Sequence, residues 1–188
     1  MRSFRTKTNP GVPDASPARG VDASAAQEAG DPVRVVFVCW GNICRSPIAE
    51  RVAERAAASA GLVNVQFTSA AAENPNRGEP MDRRATAALK ARGYRYEPHG
   101  AHQITASEIA DADLVIAMED IHLEMMRAVA PDATNLSLLT DYDPDAEPGS
   151  GVPDPWFGSA AGFFLTVDAI EAAMPGVLQR VRELQARR

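Results

Sequence analysis

The chain has 188 residues, 45% of them hydrophobic and 23% charged, with a formal net charge of −6. That length suits one domain with a sizeable core, and the acidic balance argues against a nucleic-acid partner, which would call for a basic patch or stripe. It leaves anion binding open, because a few directed N–H groups hold a phosphate whatever the global charge.

Residues 1–31 are rich in Pro, Gly, Ala, Ser and Asp and carry almost no large apolar side chains. Such a stretch cannot bury enough surface to offset the entropy of ordering it, so a disordered tail is expected there. The basic residues Arg2, Arg5 and Lys7 have no apolar stretch behind them, which does not suit a secretory signal. A folded domain is expected over 32–188. Val33-Arg-Val-Val-Phe-Val38 reads as a strand buried on both faces. Pro47 to Ala60 reads as a helix, with Ser46 as its cap and Gly61 as its stop. Val63–Thr68 is expected to be a second strand, Pro80–Arg92 a helix closed by Gly93, and Asp113–Met118 a third strand. A helix over Ile121–Val129, a short strand over Asn135–Leu139 and a long loop from Thr140 to about Gly158 follow. The remainder reads as helix, with a kink or a division into two at Pro175-Gly176. Strands alternating with helices predict a parallel, doubly wound α/β sheet, with ligands at the carboxyl ends of its strands.

The loop after the first strand therefore matters most. It reads Cys39-Trp-Gly-Asn-Ile-Cys-Arg45-Ser46. Gly41 would let the backbone turn successive N–H groups inward as an anion nest. The helix behind adds the positive end of its dipole. Arg45 offers a planar fork for two phosphoryl oxygens. The same positive field favours the thiolate of Cys39, the form a nucleophile needs. Ser46 could donate to that thiolate, and Asn42 tolerates a left-handed conformation while tying the loop together. The two cysteines, Cys39 and Cys44, lie too close in sequence to staple distant parts of a fold, and four metal ligands are not in view. A reversible disulfide between them could shield the nucleophile. No apolar run is expected to reach the roughly 20 residues needed to span a bilayer. A cytoplasmic monomer without metal, cofactor or membrane partner is the expectation.

Val38-Cys-Trp-Gly-Asn-Ile-Cys-Arg-Ser-Pro-Ile-Ala-Glu50 resembles the signature of the low molecular weight protein tyrosine phosphatases. The resemblance runs from about Val33 to the C-terminus. It implies four parallel strands flanked by helices, no metal, and a covalent phosphocysteine intermediate on phosphotyrosine proteins or aryl phosphates. In that chemistry Cys39 attacks while Arg45 clamps, and Trp40, Gly41, Asn42, Ile43, Cys44 and Ser46 complete the phosphate loop. A general acid is also needed. Asp141, Asp143, Asp145 and Asp154 crowd the late loop, and composition does not choose among them. The resemblance selects Asp154, in Asp-Pro followed by two aromatics and Gly. Family members commonly carry two tyrosines where this chain has Trp156 and Phe157, which are expected to line the pocket mouth. The resemblance also implies supporting roles for Ser69, which braces the loop, and for His99, which hydrogen-bonds Asn42. His102 stands where Arg is commoner, and Glu119 where Asp is. The segment Ala71–Gly78 lacks the usual Trp-His pair, and the bulky Trp40 could replace part of that wall.

Rival readings remain open at this level. An arsenate reductase of the same fold needs further cysteines for a disulfide relay. A protein arginine phosphatase tends to carry Thr where Ile43 stands. A silent phosphate-binding module would need neither a thiolate nor an acid.

Overall fold

The computed structural model describes residues 30–73 and 75–188. The expected tail therefore lies outside the described residues, save for its last two positions. Four parallel strands, β1 (Val33–Cys39), β2 (Val65–Ala71), β3 (Leu114–Ala117) and β4 (Leu136–Leu138), form one sheet in the order β2-β1-β3-β4. The helices are α1 (Arg45–Ser59), α2 (Arg83–Ala91), α3 (Ala106–Asp111), α4 (Asp120–Val129) and α5 (Ala160–Gln185), with a 3-10 turn over Leu139–Tyr142 after β4.

Side chains on a strand alternate between faces, and β1 uses both for burial. Val35 and Phe37 join Ile48 and Val52 of α1 and Phe163 and Val167 of α5 in one core. Val36 and Val38 join Ile109 of α3, Leu123 and Met126 of α4 and Leu138 in the other. The doubly wound expectation holds. Its register sets Cys39 opposite Ala71 at the far end of β1, beside the point where the strand order reverses between β1 and β3. That is where ligands bind in such sheets.

Several boundaries differ from expectation for physical reasons. α1 starts at Arg45, two residues earlier than expected, with Cys44 at the cap position and no side-chain cap. Ser46 cannot cap because its hydroxyl is turned into the core. Gly61 and Gly93 do end α1 and α2, each left-handed and followed by the paired backbone bonds of a Schellman stop (Leu62 to Ala57 and Tyr94 to Leu89, both 2.9 Å). α3 is additional, opened by a capping box between Thr105 and Glu108. α5 is a single helix of 26 residues through Pro175, not two. Its length and composition would reach across a bilayer, yet Phe163, Val167, Ile170, Met174, Val177 and Val181 are buried in the core along one side of it.

Candidate active site

Cys39 is the last residue of β1 and 3% exposed. Its Sγ lies 3.1 Å from Ser46 Oγ. That hydroxyl accepts from Asn42 Nδ2 at 3.0 Å and faces the Ala70 carbonyl at 3.2 Å. A hydroxyl has one proton to give, so it can serve either Ala70 or a Cys39 thiolate. Ionisation of Cys39 would recruit it.

Asn42, not Gly41, takes the left-handed conformation, with φ 56°. Gly41 contributes room: a Cβ there would sit 2.3 Å from Asn76 Nδ2, across the cleft mouth. Fully buried, Asn42 donates to Ser46 Oγ and Ser69 Oγ, each at 3.0 Å, and accepts from the His102 backbone N–H at 3.2 Å. Ser69 Oγ–H in turn donates to Glu50 Oε2 at 2.5 Å. His99 Nε2 donates to the Asn42 carbonyl at 2.6 Å, the backbone rather than the amide. Burial holds the His99 imidazole below its ordinary pKa. His102, from its side chain, pairs with Glu108 at 2.9 Å.

Arg45 is 2% exposed and begins α1. Its Nη1 donates to Glu119, just after β3, and to the Val152 carbonyl at 2.9 Å; its Nη2 donates to Asp154 Oδ2 at 2.9 Å. Asp154 also accepts the Trp156 N–H at 3.1 Å, closing a short turn that aims its carboxylate. The loop that carries it is tied to the end of β3 by Val152 N–H to Met118 O at 2.7 Å. At Gly151 a Cβ would meet Met118 O at 2.9 Å, so only glycine permits this approach.

Cys39, Arg45 and Asp154 line one cleft of about 550 Å³, within the range of small-molecule sites. Trp40, Trp156 and Phe157 form its mouth, 46%, 41% and 94% exposed. Pro75 and Asn76 stand on the Ala71–Gly78 side. Cys44 is a second free, buried thiol, and burial with the Asp82 charge nearby raises its pKa well above the ordinary value. Among the described residues no cluster of side chains suits a metal ion.

A model of the family described as low molecular weight phosphotyrosine protein phosphatase matches residues 34–187. The chain belongs to this family. It is thus a protein-tyrosine-phosphatase, a phosphoric monoester hydrolase. It is 42% identical over 155 residues to the low molecular weight protein-tyrosine-phosphatase of Streptomyces coelicolor, covering 80% of this chain and 94% of that one. The phosphatase A of Mycobacterium tuberculosis is 36% identical over 159 residues, covering 84% and 96%. Among solved structures, a protein tyrosine phosphatase from Entamoeba histolytica superposes with a TM-score of 0.76 at 26% identity, covering 81% and 99%. YfkJ of Bacillus subtilis gives 0.76 at 27%, covering 82% and 97%.

Two residues escaped the sequence reading. His122 of α4 has no exposure and no hydrogen-bond partner on either ring nitrogen; its Nε2 is 3.8 Å from Glu119 Oε2, and its ring centroid is 6.5 Å from that of Trp40. Burial and the Arg45 charge push its pKa down to about 4. A lone histidine within a helix gives no sequence signal. Arg84 contacts the acid loop from α2; its signal was there, two residues after the capping Asp82.

Proposed function

We propose that this phosphatase hydrolyses phosphotyrosine esters through a phosphocysteine, with Cys39, Arg45 and Asp154 in the roles the sequence suggests. The observation that carries the reading is the convergence of the Cys39 thiol, the Arg45 guanidinium and the Asp154 carboxyl on one cleft. The phosphoryl group would sit over Cys39, its oxygens held by the loop N–H groups and the Arg45 fork. The thiolate attacks phosphorus and a phenolate departs, taking a proton from Asp154. Asp154, now a carboxylate, accepts a proton from the water that attacks the phosphocysteine. Phosphate leaves, and the Ser46 hydroxyl steadies the returning thiolate.

The tyrosine preference rests on Trp40, Trp156 and Phe157, whose faces suit an aromatic ring stacked at the mouth. Two substrates test the reading, p-nitrophenyl phosphate and a phosphotyrosine peptide. Cys39→Ser should lower turnover of both by a factor on the order of 10³ or more, the scale of losing an activated nucleophile. Equal turnover by wild type and variant would overturn it. So would a wild type that binds phosphopeptide without hydrolysing it, the behaviour of a silent module. Faster turnover of phosphoarginine or arsenate than of phosphotyrosine would replace the substrate class.

A further inference from the structure

The first turn of α2 joins the two halves of the cleft. Asp82 N–H donates to the Ile43 carbonyl of the phosphate loop at 2.8 Å. The Asp82 carboxylate accepts the Arg84 backbone N–H at 2.7 Å, and grips the Arg84 guanidinium through Nε and Nη2, each at 3.1 Å. The remaining nitrogen, Nη1, donates to the carbonyls of Trp156 at 3.1 Å and Gly158 at 3.2 Å. The guanidinium carbon also stands 4.6 Å from the Phe163 ring centroid and 5.4 Å from that of Trp156.

These contacts flank Asp154. Upstream, the loop is held at Val152 by Met118 and Arg45. Downstream, among the described residues, the hydrogen bonds that tie 155–158 to another element all come from Arg84. The loop itself is neither helix nor strand from 151 to 155. Without these hydrogen bonds, the stretch between Asp154 and α5 would be held only by the packing of Pro155, which is buried beside Gly162. The charged partner of Asp154, Arg45, is the group that must turn to the phosphate when substrate binds.

We propose that Arg84 is a positioning residue for the acid: it sets the distance from Asp154 to the phosphate loop through Asp82 and so governs protonation of the leaving group. This rests on the phosphatase reading above. Its physical basis is that small misplacements of a catalytic group cost about 10²-fold in rate, and that general acid catalysis matters most when the departing oxygen is basic.

The test compares kcat/KM for phenyl phosphate, whose phenolate needs a proton, and 2,4-dinitrophenyl phosphate, whose phenolate does not. Wild type, Asp154→Asn, Arg84→Met and Arg84→Lys are measured, with inhibition by inorganic phosphate and thermal melting alongside. Arg84→Met keeps the apolar stem against Phe163 and removes the fork. It should lose about ten- to a hundredfold on phenyl phosphate and no more than about threefold on the dinitrophenyl ester, with phosphate inhibition unchanged. Arg84→Lys, one donor in place of a fork, should fall between and remains informative if the Met variant fails to fold. Equal losses on both esters, or no loss on either, while Asp154→Asn shows the split, would overturn the proposal and leave the phosphatase reading intact. A wild type that hydrolyses neither ester would overturn that reading as well.

Discussion

Arg45 is almost fully buried, and its guanidinium is shared between two carboxylates, Glu119 and Asp154, and the Val152 carbonyl. Each contact satisfies part of a charge that burial would otherwise penalise. Bound phosphate, being an anion, can take over that work. Removing Glu119 should therefore harm the empty enzyme more than the occupied one. Glu119→Ala is expected to lower stability by about 1–2 kcal/mol, less than the loss of a fully buried partner, because Glu119 is 37% exposed and Arg45 keeps Asp154 and the Val152 carbonyl. Added phosphate should then raise the melting temperature more in the variant than in wild type, by mass action on a state it now stabilises more strongly. Equal phosphate-induced rises in the two proteins would count against this. At this scale the sequence was informative wherever one residue type has one plausible job. The Arg45 guanidinium and the Asn42 amide stand at the loop that their chemistry pointed to, whereas Ser69, which accepts from Asn42, was indicated only by the family resemblance. Ser46 misled as a helix cap because its single hydroxyl is already engaged by Cys39 and Asn42. The solitary His122 was illegible because nothing in its neighbours' identities says that it is buried.

α5 shows how packing decides the course of an element against local propensity. Proline removes one N–H from a helix interior and glycine weakens it further, so Pro175-Gly176 read as a break. The helix continues because Met174, Val177 and Leu178 on either side are buried, and burial of such side chains contributes about 1.5–3 kcal/mol each. Gly176 also has a positive reason to be there. A Cβ at that position would lie 2.2 Å from the Tyr142 carbonyl oxygen, in the 3-10 turn after β4. The neighbour is backbone and cannot swing away. Gly176→Ala tests which effect prevails. Helix propensity alone predicts a gain of about 1 kcal/mol; the clash predicts a net loss of about 1–3 kcal/mol. The loss should win in a urea melt, and a more stable variant would show that the turn yields easily. The capping box and the two glycine stops teach a related lesson. Gly61 and Gly93 were legible because a left-handed residue has few alternatives, whereas Thr105 and Glu108 signalled the unexpected α3 only as a pair three residues apart.

The whole molecule was the most legible level, since four short, largely apolar strands separated by helices admit few arrangements and the right-handed parallel crossover selects among them. Its response to pH depends on features no sequence displays, namely which ionisable groups the two cores enclose. His122 faces Glu119, Arg45, Asp154 and the Trp40 ring, and its folded pKa falls from 6.5 to about 4. His99 is lowered as well, chiefly by burial. Both stay neutral in the folded protein near neutrality, while the unfolded chain takes up protons once the pH drops below about 6.5. The stability tied to them is thus complete above about pH 7 and is lost as the pH falls below about 6.5, for His122 down to about 4. For His122 alone the loss across that window is roughly 3 kcal/mol, at about 1.4 kcal/mol for each pH unit between the two values. Asp113 adds to the acid side further down: burial raises its pKa, but hydrogen bonds from the Arg34 N–H and Arg188 outweigh that and hold it low. Its contribution is present above about pH 4 and disappears below. On the alkaline side burial and the Glu171 hydrogen bond push Tyr94 up to about 12, so its contribution is lost only as the pH rises past 10. Urea unfolding should accordingly show a plateau between about pH 7 and 9 with a steep acid limb. His122→Asn removes one of the titrating groups. Whatever it costs in packing at pH 7.5, its further loss between pH 7.5 and 4.5 should be smaller than that of wild type by roughly 2–3 kcal/mol. Parallel acid limbs in the two proteins would mean that His122 titrates normally in the folded state and that solvent reaches its ring.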